Sequence, residues 1–522
     1  MDRLPHELVQ QIADVIRGPP RPHKHQEYCS CRECRAPIKL ASYTTISQTW
    51  QAVVERIIWQ DIRLGWDKYN SLAQLKEYTS ASSSGDIDAS SGSHDSGRDS
   101  YRRDRIRYIR TLTWTYDPDR SPLRITKEEL PEGYNMQFHA SLTELFAVLH
   151  SWEDTKAGTE MQLSLRVGNT EFIDLPDEVQ WALEPSVADL ATLDVGQLWH
   201  RAKIPHQLHL PPALVDELPV LAYITTFGLH EPDRSDVTPS VFMGLLTRFP
   251  HARRVYGGEG HAIPRGAWKA LVEQRQEIMD NLPSVPSSVE TFKYMIDHAR
   301  EMSHNPGHNA ANYLSPQGFD ELSIGFRTLS MRLRKLRLKY VRISSALFWP
   351  EENENVDTAG QYWPRLEELL IQEVPPYTAD GQWMLENNPE KWYNNSDVSL
   401  EDDPDQDWEY DFGDYGPRQD IKRHEAQKMY VAMGRAAQRM PKLRRLDFTF
   451  RAEVGEGGPN DLLRLEREPK TGKAELQILS NSGFVVGDEV LDAWKVREAG
   501  EGTVQEMMRR HGRVAFEKWP PA

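Results

Sequence analysis

All three cysteines of the 522-residue chain lie within six positions, Cys29-Ser30-Cys31-Arg32-Glu33-Cys34, with His23 and His25 just upstream. Thiolates and imidazoles are the ligands zinc prefers, and a closed structural site needs four of them. Cys29, Cys31 and Cys34 with His25 or His23 would supply that number. The spacing is tighter than in a standard finger, so a set of free surface thiols is the alternative reading. His298, His304 and His308 surround Asn305-Pro306-Gly307 and match no metal box, which makes them a solvated loop.

Other catalytic signatures are missing. The chain has no P-loop, no G-x-G-x-x-G, no G-x-S-x-G and no H-E-x-x-H. Gly257-Gly258-Glu259-Gly260 and Gly455-Glu456-Gly457-Gly458 lack the Lys-Ser/Thr that would complete a phosphate cradle, and they read as flexible loops. The sequence predicts no catalytic residue, no cofactor beyond a possible structural zinc, and no enzyme.

Composition narrows the class further. There are 62 Lys+Arg against 79 Asp+Glu, a formal charge of −17, which disfavours a general nucleic-acid binder. Nine of the acids fall between Asp397 and Asp414 with no Lys or Arg among them; without them the remainder carries −8. Trp392, Tyr393, Trp408, Tyr410 and Phe412 lie in and beside this tract, a composition able to attract basic groups. No membrane span or signal peptide is expected, and three cysteines fit a reducing compartment, cytoplasmic and/or nuclear.

The elements that must position these residues follow from periodicity. Ser80–Ser100 holds nine Ser, three Gly and four Asp and reads as a disordered linker. Ile106, Tyr108, Leu112, Trp114 and Tyr116 alternate with polar residues, which predicts a strand. The arginines at 102, 103, 105, 107 and 110 then form a solvated edge. Helices are expected over 141–151 with Ser141 as cap, 239–248, 316–329 and 420–439. A short pattern recurs: apolar, Pro, any residue, then apolar residues three apart. Copies are Leu218-Pro219, Phe249-Pro250, Trp363-Pro364 and Met440-Pro441, with a shifted one at Val285-Pro286 and a proline-free one at Leu333, Leu336 and Leu338. Proline ends a helix and releases the chain into a strand whose leucines point inward. The expectation is an α+β or α/β chain with an irregular leucine-rich-repeat-like solenoid over 105–522 and an acidic insertion at about 376–418. An α+β domain with unrelated edge strands is the alternative.

Residues 1–66 form a separate unit. Leu4-Pro5 followed by Leu8, Val9, Ile12, Val15 and Ile16 is a helix that Gly18-Pro19-Pro20 stops. Leu40, Tyr43, Ile46 and Trp50 repeat at helical spacing, and Val53, Val54, Ile57, Ile58, Trp59, Ile62 and Leu64 follow as a third helical stretch. So small a unit cannot hide every apolar face by itself.

Leu4-Pro5-x-Glu7-Leu8-x-x-x-Ile12, then Ser47-x-x-Trp50, then Trp59-x-x-Ile62-x-Leu64 resemble the F-box, with an insertion over 17–39 that holds the cysteines. The whole chain resembles fungal F-box proteins with leucine-rich-repeat-like C-terminal regions. The resemblance implies a substrate receptor of a Skp–cullin–F-box ubiquitin ligase. Leu4, Pro5, Leu8, Ile12, Leu40, Ile46, Trp50 and Trp59 would face the Skp adaptor, and the C-terminal region would hold an unknown target protein. An F-box scaffold acting outside a ligase is the alternative.

Overall fold

The computed structural model describes residues 48–65, 71–79, 103–116, 130–167, 192, 208–230, 237–259, 268–296, 310–351, 354, 360–387, 418–451, 460–480, 484–496 and 512–520. Their fold is mixed α/β around one twelve-stranded sheet. In chain order the strands are β1 (Asp61–Leu64), β2 (Thr111–Tyr116), β3 (Met161–Val167), β4 (Ile224–His230), β5 (Arg254–Glu259), β6 (Thr291–Ile296), β7 (Lys335–Lys339) and β8 (Glu368–Val374). Each pairs parallel with the next, and β11 (Arg445–Arg451) pairs parallel with β8. The sheet closes as an antiparallel meander through β12 (Asn460–Arg467), β13 (Ala474–Leu479) and β14 (Arg513–Phe516). A separate ribbon pairs β9 (Leu385–Asn387) with β10 (Arg418–Ile421).

Every copy of the apolar–Pro pattern precedes a strand. Phe249-Pro250 follows helix Pro239–Leu246 and leads to β5, and Met440-Pro441 follows helix Arg423–Ala437 and leads to β11. The Ala252 N–H donates to the Phe249 carbonyl, and the Leu443 N–H donates to that of Met440, so both copies make the same turn. Inward residues of the strands, such as Leu163, Phe227, Val255, Phe292, Leu336, Leu369 and Leu446, are buried in one continuous core. Aromatic contacts link successive units beneath the sheet: Phe146–Phe249 at 5.7 Å, Phe249–Phe227 at 4.7 Å, Phe227–Phe242 at 5.9 Å and Phe242–Tyr294 at 6.2 Å between centroids. Such pairs are each worth about 0.5–1.5 kcal/mol beyond area burial.

Several expectations need correction. Residues 103–108 are helical, and the strand begins at Thr111. Ile106 on this helix and Ile109 just after it are both buried, and Arg105 is tied to Glu55 at 3.1 Å. Trp59 to Leu64 is not one helix: helix Gln48–Gln60 ends and β1 begins, because Ile62 and Leu64 alternate against β2. The end of the expected N-terminal unit is thus the first strand of the sheet. Helix Leu130–His150 runs straight through Ser141, since Phe138, Leu142, Leu145, Phe146 and Leu149 form one buried stripe. Helix Glu321–Ser330 starts five residues after the expected 316, where Asp320 accepts from the Ser323 N–H. Gly257-Gly258-Glu259 is strand, not loop. A Cβ on Gly257 would run into the Phe242 ring, and one on Gly258 would meet the Met295 carbonyl oxygen at 2.8 Å. The expected insertion from 376 begins later: Tyr377 is fully buried, and Gly381 (φ +86°) turns so close to Ala310 that only glycine fits. The linker 80–100 and the acidic tract 397–414 lie outside the described residues.

Lys156 ends the short helix Glu153–Lys156 and is fully buried, its ammonium donating to the Ile109 carbonyl. Burial, and then the charge of Arg110, lowers its pKa to about 8. The unfolded chain therefore holds this proton up to a higher pH than the folded one. Stability from this group rises as pH is raised through the window from about 8 toward the ordinary lysine value. Lys156→Met should stabilise the protein by about 1–2 kcal/mol near neutrality and flatten that alkaline rise. Thermal unfolding across the window checks this, and a rise of unchanged size in the variant would contradict it.

Candidate functional site

Strand residues that do not face the core form rows across the sheet. One row runs Arg254, Thr291, Lys335, Glu368, Arg445 and Glu466 in direct register. The next runs Tyr256, Lys293, Arg337, Leu370, Asp447 and Arg464. Helix side chains such as Phe242 and Phe326 lie under the opposite face, against Phe227, Phe292 and Tyr294. This polar face spans β5, β6, β7, β8, β11 and β12, and its side chains sit on rigid backbone. That suits recognition of an extended surface.

The face is held in register by charge. Lys335 meets Glu368 at 2.6 Å, Lys339 meets Glu373 at 3.0 Å, and Arg337 donates to the Gln372 amide oxygen at 2.8 Å. Asp447 lies almost wholly buried between Arg445 (2.5 Å) and Arg464 (2.9 Å). At the far end of β7 and β8, Tyr340 (φ +60°) and Glu373 (φ +52°) both adopt the left-handed backbone that glycine favours. Burial raises the Tyr340 hydroxyl's pKa, and hydrogen bonding to Glu373 adds to it. The Lys339 ammonium sits over the Tyr340 ring at 4.3 Å. Two strained residues beside one ion pair mark the place where this face bends away from regular strand geometry.

The leading edge of the strands carries a second pattern. The residue just before each of β5, β6, β7, β8 and β11 donates its N–H to the equivalent carbonyl of the previous unit: Arg253 to Thr225, Glu290 to Arg253, Arg334 to Glu290, Glu367 to Arg334 and Arg444 to Glu367. From Arg253 onward the signs alternate. Arg334 reaches Glu290 at 3.5 Å and Glu367 at 2.8 Å, while Arg444 reaches Glu367 at 3.8 Å. Burial acts to raise the Glu367 pKa, but the hydrogen bond and charge of Arg334, with Arg444 and Lys335, outweigh it and hold the carboxylate below its ordinary range. Thr225, the neutral member, lines a cavity of 320 Å³ with His251, Arg253, Ser287, Ser288, Glu290 and Arg365.

The residues singled out in the sequence fare unevenly. Leu4, Pro5, Leu8, Ile12, Leu40 and Ile46, and the candidate ligands Cys29, Cys31, Cys34 and His25, lie outside the described residues. Trp50 falls in helix Gln48–Gln60. Trp59 is half-buried against the core, edge-to-face with Tyr78 at 6.2 Å, with the Arg105 guanidinium 5.4 Å from its ring centre. Among the described residues no group of three or more His, Cys, Asp or Glu could hold a metal ion, and no helix is long and apolar enough to cross a membrane. The alternating ladder was missed. Its members are far apart in sequence, although Arg253, Glu367 and Arg444 each stand three residues after the motif proline. No family model, curated protein or solved structure matches the chain.

Glu367→Gln should cost about 1–3 kcal/mol at neutral pH, because two arginines lose their shared carboxylate. A depressed carboxylate pKa contributes stability above the ordinary range that is lost on acidification, so the penalty should shrink as pH falls through that range. Chemical denaturation at neutral and acid pH reads both; a penalty independent of pH would remove the ladder's electrostatic role.

Proposed function

We propose that this chain is a substrate-receptor subunit of a Skp–cullin–F-box ubiquitin ligase, with no bond chemistry of its own. Its N-terminal region would dock on the Skp-family adaptor, and its leucine-rich-repeat-like array of strand–helix units would hold a target protein. The observation that carries the reading is the ordered set Leu4-Pro5-x-Glu7-Leu8-x-x-x-Ile12 and Ser47-x-x-Trp50, placed directly ahead of the first strand. Support comes also from the topology. Parallel strands in chain order, backed by helices on one side, leave a long polar face on the other. Such a face offers many rigid side chains to a protein partner.

Helix Gln48–Gln60 and β1 bear on how docking is tested. Val53 and Val54 are fully buried, and β1 pairs with β2, so a truncation at residue 66 would cut into the sheet. Point substitutions are the cleaner probe. Leu8→Ala with Ile12→Ala should reduce adaptor capture at least tenfold, each truncation costing about 1–4 kcal/mol of interface. The variant's thermal unfolding should match the wild type. Undiminished capture by a folded double variant would remove the F-box reading.

A further inference from the structure

Among the described residues β13 is the only strand paired with β14, so the sheet ends there with one open side. Antiparallel pairing decides what that side presents. The Ile478 N–H donates to the Gly512 carbonyl, so residues 512, 514 and 516 turn their backbone toward β13. The N–H and C=O groups of Arg513 and Ala515 therefore point outward from the sheet edge. Side chains alternate between the two faces of the strand. Val514 and Phe516 are buried in the core, while Arg513, Ala515 and Glu517 are exposed on the opposite face. On the β13 flank Arg513 lies 3.9 Å from Glu475, and Glu517 lies 2.9 Å from Lys473. The other flank of both charges is the open edge.

This edge is complementary to itself. We propose that β14 is the interface with a second copy of this chain, the two β14 strands pairing antiparallel about a two-fold axis at Ala515. In that register the second copy's Ala515 lies opposite Ala515, and its Glu517 lies opposite Arg513; symmetry repeats the charged pair. Residues opposed in a hydrogen-bonded pair have Cα atoms about 5.5 Å apart, within reach of an Arg–carboxylate contact. The row Lys473, Glu517 and then the second copy's Arg513 keeps the signs alternating across the junction. Neighbouring registers put each charge opposite alanine or opposite its own kind, so charge selects this one. Ala515 brings only a methyl group to the axis and leaves room for the two backbones to meet. Pro520 has no N–H to offer, which keeps the pairing from running on along the chain. Residues 513–517 are far fewer than the roughly 20–30 a side of a standard interface, so the dimer is reversible and set by concentration.

The test is sedimentation-velocity ultracentrifugation of the full chain from about 1 to about 100 µM, with thermal unfolding of each variant in parallel. Wild type should pass from monomer to dimer across that range. Ala515→Pro removes an N–H that faces away from β13, so it should keep the fold and weaken the dimer at least tenfold. Arg513→Glu should weaken the dimer several-fold by setting carboxylates opposite each other. Arg513→Glu with Glu517→Arg should restore it, a rescue that loss of fold cannot produce. A wild type that stays monomeric over the whole range would overturn the proposal. So would a dimer that Ala515→Pro leaves unchanged, since the interface would then lie elsewhere, or a double swap as weak as Arg513→Glu alone. Species that keep growing beyond the dimer would overturn it too, because β14 would then pair with β1 of the next copy in an open chain.

Discussion

Nine parallel strands must all bury the same alternate residues against one helical layer. This constraint organises everything else. The side-chain period of a strand is two, so a slip of one residue would expose Leu336 and Leu338 and drive Lys335 and Arg337 into the core. The register is fixed three times over. Inward leucines and aromatics fill one continuous core, the residue before each of β5, β6, β7, β8 and β11 repeats the same backbone bond to its predecessor, and charges of alternating sign reinforce that bond from Glu290 to Arg444. The glycines of β5 obey the same demand: the helix carrying Phe242 comes too close for any side chain at Gly257.

Once the inward face carries stability, the outward face is left to polar and charged side chains. Its residues stand on strands rather than loops, so their spacing is set by the sheet. The strained backbone at Tyr340 and Glu373 lies at one border of this face, where the ion pair from Lys339 stitches β7 to β8. Lys335 and Lys339 each hold a neighbouring strand and also present charge.

Much of this was legible in the sequence. The apolar–Pro pattern marked β4, β5, β6, β8 and β11, since proline ends a helix and the following apolar residues have nowhere to go but inward. Helices 239–248 and 420–439 were found within a few residues of Pro239–Leu246 and Arg423–Ala437. What could not be read was set by distant contacts. Ile106 and Tyr108 continue the alternation of β2, yet their segment is helical because Arg105 reaches Glu55 across the linker. Gly257-Gly258 has loop chemistry in isolation and becomes strand only beside Phe242 and Met295. Ser141 looks like a cap until the stripe on both sides of it finds the sheet. Of the candidate site, the cations of β5–β7 were visible only one at a time. They are separated by whole strand–helix units, and parallel pairing alone brings them side by side.

The central claim is that one chain joins a ligase to a target. Affinity purification of the full-length protein from cells, with quantitative mass spectrometry of what accompanies it, tests this most directly. Adaptor and cullin recovered together, at comparable abundance, with at least one further protein held as target, is the expected result. Adaptor recovered without cullin would contradict it and leave a scaffold acting outside the ligase.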